Sequence, residues 1–210
     1  MSDAGLRPSW LFVGYRASPA DGSGGPSVPP RPYRDRLDEV FLLDPAARDD
    51  RRPERPVCKA LRYRRRDGEP PGGVAVRVRN HLLRAYPGAW DNDPTDADRR
   101  PAVVFVGFAP LRFVRLLATE CSLPGSGRPC PLGLWGPAAA RACWDVGAAV
   151  AAEGLSWADV LAFRRPADPA DQAVWDGLTR AWPGPGRDPE QDVRLAVVLA
   201  AQLGLFGAPA

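Results

Sequence analysis

Ala102 to Glu120, AVVFVGFAPLRFVRLLATE, is the stretch of this 210-residue chain that decides its fold. Ala102 to Gly107 is a run of β-branched and aromatic residues and carries the clearest strand pattern in the sequence. Pro110 sits where a first helical residue is tolerated best, since proline has no N–H to leave unpaired there. Pro110 to Glu120 is therefore expected to be a helix. A strand, a tight turn and a helix make half of a βαβ unit.

Upstream lies a near copy. Leu11-Phe12-Val13-Gly14-Tyr15 echoes Val104-Phe105-Val106-Gly107-Phe108, and each is followed within four residues by alanine and proline. Trp10 to Tyr15 is thus expected to be a second buried strand. If the two lie parallel, Gly14 and Gly107 fall at one sheet edge, where a missing Cβ lets a ligand approach the backbone. Pro110 would open a helix whose free N–H groups face that edge. Gly14, Gly107 and Pro110 are one candidate ligand edge; simple strand-ending and helix-starting punctuation is the plainer account. Arg16 to Pro32 is too rich in proline and glycine to hold a regular element.

Leu37 to Leu43 reads as a short helical turn leading into a strand, stopped by Asp44-Pro45. From Val57 to Arg65, Leu61 and Tyr63 alternate with Arg62 and Arg64. After the turn residues Asp67 to Gly73, Val74, Val76 and Val78 alternate with Arg77 and Arg79. Period-two spacing on both sides of a turn predicts an antiparallel hairpin. A helix running to Tyr86 also fits, through Val78, Leu82, Leu83 and Tyr86, but the hairpin is the favoured reading. Beyond Glu120 the chain is expected to be helical, over Pro137–Glu153, Ser156–Phe163, Pro169–Trp182 and Pro189–Leu203. Ser156, Asp168 and Asp188 stand at the cap positions, and the last two are followed by proline. The last helix has almost no polar face and should be buried on most sides.

Together these elements predict an α+β or irregular α/β fold in a single domain over 1–210. A strand-rich N-terminal half (about 10–108) with a mixed sheet and a basic hairpin would be packed against a helical half (about 110–205). Glycine and proline together number 46, so long irregular connections are expected. No run reaches the roughly 20 apolar residues of a membrane span. No secretory leader is legible, which places the expected location in the cytosol. Cys58, Cys121, Cys130 and Cys143 are then expected as free thiols, spaced unlike zinc ligands. No metal or cofactor is expected.

Function is written most plainly in the charge. Lys59 is the only lysine among 28 basic residues, so arginine is the default cation and only clusters are informative. Arg48 to Arg84 carries a net charge of +7, against +3 for the whole chain. The candidate polyanion-binding set is Arg51, Arg52, Arg55, Lys59, Arg62, Arg64, Arg66, Arg77 and Arg79, with nucleic acid as the expected partner. A solvated sheet face balanced by nearby acids is the alternative. A small enzyme acting on a phosphorylated or nucleotide-like substrate at the Gly14/Gly107 edge is a second reading, with Asp44, His81 or the Asp91–Asp98 loop supplying chemistry. Docking into a larger assembly through Trp175 and Trp182 is a third.

Overall fold

The computed structural model describes residues 9–20, 34–48, 56–86, 103–121, 137–154, 156–158, 161, 169–180, 182 and 184–203. Arg51, Arg52, Arg55, Cys130, the Asp91–Asp98 loop and most of the Arg16–Pro32 segment lie outside them.

Strand β1 (Ser9–Pro19) is the middle of a five-stranded sheet. Its partners are β2 (Asp35–Arg48) on one side, antiparallel, and β4 (Val103–Gly107) on the other, parallel. Strand β3 (Pro56–Arg64) pairs antiparallel with β2, and the short β5 (Cys143–Asp145) pairs parallel with β4. The order is β3-β2-β1-β4-β5 in a mixed sheet. With strands in the N-terminal half and helices in the C-terminal half, the chain is of the α+β class. The two echoed stretches are indeed parallel neighbours, with Leu11 beside Phe105 and Val13 beside Gly107.

Alternation along β1 divides the core in two. Leu11, Val13, Tyr15 and Ala17 point to a first face, covered by helices α1 (Gly73–Ala85), α2 (Pro110–Cys121) and α3 (Pro137–Arg141). Phe12 points to a second face with Val104 and Val106. Helices α4 (Val146–Ala152), α5 (Pro169–Arg180) and α6 (Pro189–Gln202) cover that side. Burial on both sides explains why β1 and β4 read as continuous apolar runs. The expected cap of α6 is present: Asp188 accepts the N–H groups of Glu190 and Gln191, with Pro189 next to it.

Three sequence expectations need correction. Val74 to Arg79 is not the second arm of a hairpin but the start of α1, and β3 takes β2 as its antiparallel partner. Val74, Val78 and Leu82 form an i, i+4, i+8 stripe at 2%, 0% and 0% exposure, so burial of a helical stripe outweighs the strand preference of valine. Second, Leu37 to Leu43 is strand throughout, and Asp44-Pro45 does not stop it. The register shifts between Asp44 and Ala47, and such an irregularity is where a sheet tolerates a residue without an N–H. Third, the expected 137–153 helix is broken into α3, β5 and α4, because Cys143 to Asp145 is drawn into the sheet beside β4.

Candidate functional site

Of the nine cations singled out by the sequence, the six described ones do not share one face. On β3, alternation sends Lys59, Leu61 and Tyr63 toward α1, and Arg62 and Arg64 to the opposite side. Arg66 lies in the exposed turn after β3, its backbone N–H bonded to Glu69. Arg77, on α1, donates to both oxygens of Glu69 and to the Arg64 carbonyl, and lies 6.0 Å from the Tyr63 ring centre. Arg79 is buried and bonded to Asn80. The arginine face expected of a hairpin is thus reduced to Arg62 and Arg64, because residues 77 and 79 belong to a helix.

Those two meet residues the sequence did not flag. Glu39 on β2 is buried to 1% exposure and receives three guanidinium groups: Arg16 at 3.1 Å, Arg62 at 2.5 Å and Arg64 at 2.7 Å. Register explains the meeting, since Arg16 lies opposite Glu39 on one flank and Arg64 opposite it on the other. Burial works against the charged form of Glu39, but hydrogen bonds from Arg64 and Arg62 outweigh it and hold the carboxyl below its usual range. The same bond from Glu39 holds Arg64 more firmly in its charged form. Arg62 also bridges to Glu190 of α6 at 3.1 Å, and Glu190 pairs in turn with Arg194.

Four guanidinium groups therefore surround two carboxylates, with Asp188 close enough to add to the field at Arg64. Helix α6 packs over β1, β2 and β4, and on the same face Cys58, Ala60, Arg62 and Arg64 of β3 are exposed. Arg64 and Arg194 are about three-fifths exposed, at 62% and 61%. Arg64 spends its Nε on Glu39, so its two terminal nitrogens have no partner among the described residues. Paired donors of this kind suit the oxygens of a phosphate.

At the other candidate location, the chain itself occupies the space its glycines leave. A Cβ on Gly14 would lie 1.9 Å from the carbonyl oxygen of Pro189, and one on Gly107 would lie 2.2 Å from that of Val13. Close backbone approach is the reason for both glycines. Before Pro110, Ala109 adopts a left-handed φ of 52° and donates its N–H to Asp145 at 3.3 Å. Asp145 Oδ1 also accepts from Gly147 and Ala148, so one internal carboxylate serves the starts of α2 and α4 together. Tyr15 donates to the Ala109 carbonyl, and burial pushes its hydroxyl pKa far above the ordinary tyrosine value.

Asp44 and His81 do approach one another, on the first face of the sheet. Tyr86 donates to Asp44, and Lys59 lies opposite Asp44 in the β2–β3 ladder. His81 lies 6.2 Å from Tyr63, ring centre to ring centre. Burial first, and then the Lys59 charge, lowers its pKa, while Asp44 opposes them. Trp175 is buried and donates its indole N–H to Leu161. Trp182 donates to Asp192 and packs with Phe108 and Trp157. Among the described residues Cys58, Cys121 and Cys143 form no disulfide, and burial pushes Cys143 up to about 12. Among the described residues no three histidine, cysteine, aspartate or glutamate side chains group as a metal site, and no helix is long and apolar enough to cross a membrane. Comparison with known proteins brings no match: no family model, no curated protein and no solved structure aligns with the chain.

Proposed function

We propose that this chain is a nucleic-acid-binding accessory protein that holds the phosphate backbone on the Arg16–Arg62–Arg64 surface. The observation that carries the proposal is the convergence of three guanidinium groups on one buried carboxylate, on the part of the sheet's second face where β3 is exposed. Glu39 orients Arg62 and Arg64 through their Nε atoms and Arg16 through a terminal nitrogen, and the terminal nitrogens of Arg64 have no partner among the described residues. Such a surface favours phosphate over isolated carboxylate, because several fixed forks can share one polyanion. Enzymatic chemistry at the Gly14/Gly107 edge draws less support, since Pro189 packs on Gly14 and Asp145 serves the helix starts. Docking through Trp175 and Trp182 draws little, since both indole N–H groups bond within the chain.

The test is fluorescence anisotropy with short DNA and RNA, single- and double-stranded, at low and physiological salt. Arg64→Gln is the informative variant, because Arg64 is the most exposed of the three and Glu39 retains Arg16 and Arg62. Affinity is expected to fall steeply with salt, and Arg64→Gln should reduce the slope of log K against log salt by about 1. Absence of binding at low salt, or binding indifferent to salt and to Arg64, refutes the proposal.

A further inference from the structure

The arginine surface continues into an open cleft of about 500 Å³ between α5 and α6. Glu190 is the hinge between the two, since it lines the cleft and also pairs with Arg62 and Arg194. One wall is a stripe of α5, Val174, Gly177 and Leu178, spaced i, i+3, i+4. Val174 is 61% exposed and is the one large apolar side chain left so open among the described residues. The facing wall on α6 carries Asp188, Glu190 and Arg194. The cleft is therefore apolar on one side, with carboxylate acceptors and a guanidinium donor on the other.

Resting on the phosphate-binding reading above, we infer that this cleft receives an unstacked nucleobase, so that the preferred ligand is a single strand. A ligand that spans both regions needs an anionic backbone attached to a planar group with an apolar face and a polar edge. A nucleotide chain has that composition. The aliphatic stripe meets the face of the base, and Asp188 on the opposite wall accepts from an exocyclic amino group. A duplex cannot offer such a base, because its bases are stacked and their pairing edges are occupied. The cleft falls within the size range of small-ligand sites.

Gly177 gives a test that spares the fold. A Cβ there would meet nothing within 4 Å, so a side chain can start from Gly177 without disturbing the backbone, and Gly177→Phe places a ring at the cleft wall. Val174→Glu is a second variant, on a side chain already exposed. The full-length protein is titrated with a labelled single-stranded oligonucleotide and with an abasic oligomer of the same length and charge. The base-bearing strand is expected to bind about tenfold tighter, as one base contact contributes. Both variants should remove that advantage, and Gly177→Phe, which changes no charge, should leave abasic binding unchanged. Equal binding of the two oligomers, or an advantage that survives Gly177→Phe and Val174→Glu, overturns the cleft and leaves phosphate binding standing. Failure of both oligomers to bind overturns both.

Discussion

Glu120 and Asp192 are carboxyl groups that the fold has removed from water, each 2% exposed. Glu120 Oε1 accepts the Leu37 N–H, while Oε2 is buried with no hydrogen-bond partner among the described residues. Burial raises its pKa from 4.5 to about 7, against the opposing effects of the Leu37 N–H and Arg36. Asp192 is raised from 3.8 to about 6, again mainly by burial, although Trp182 and Gly186 both donate to it. A folded-state pKa above the unfolded value means that the native state binds the proton more tightly. The stability contributed by Glu120 is therefore complete below pH 4.5 and is lost as pH rises through about 7. The loss is roughly 3 kcal/mol once the carboxyl is ionised. Gln keeps the acceptor for Leu37 and cannot ionise. Thermal melts of the wild type and Glu120→Gln should diverge across that interval, the variant being the more stable at the alkaline end. Parallel melting curves across it would refute this account of Glu120.

Two glycines on different elements lead to opposite expectations. Gly14 lies under the backbone of Pro189, so Gly14→Ala must push the start of α6 away from β1. A loss of about 3 kcal/mol is expected, read from the denaturant midpoint. Gly177 is exposed on α5 with open space around it, so Gly177→Ala should gain about 0.5–1 kcal/mol from helix propensity. If the two variants shift the midpoint alike, the proposed packing of α6 on β1 is wrong. Elements were legible in the sequence where local and tertiary signals agree. The Asp188-Pro189 cap precedes an apolar run in α6, and β1 and β4 are apolar because both faces are covered. Helix α1 was misread because Val74, Val76 and Val78 satisfy both periods, and only the sheet beneath it selects one. Three residues of β5 are too few to carry a pattern. Arg62 and Arg64 were legible from alternation on β3. Arg16, Glu39 and Arg194 were not, because their meeting depends on the β1–β2–β3 register and on where α6 lies.

At the scale of the molecule, stability is concentrated at the centre of the sheet. Val103 to Gly107 is buried along its whole length, as is Leu11 to Tyr15. Amide hydrogen exchange should accordingly be slowest in β1 and β4 and faster in β3, whose outer ladder groups face no further strand among the described residues. Fast exchange at Leu11–Tyr15 would contradict this distribution. The position of β3 has another consequence. A sheet border is a template on which a second molecule can extend the ladder and begin aggregation. Here Arg62 and Arg64 charge one side of the border, Lys59 stands on the other, and Arg77 reaches across to occupy the Arg64 carbonyl. The arginines proposed to hold phosphate are thus also expected to keep neighbouring copies of the chain apart, and a variant stripped of them should reveal that second role first as a loss of solubility.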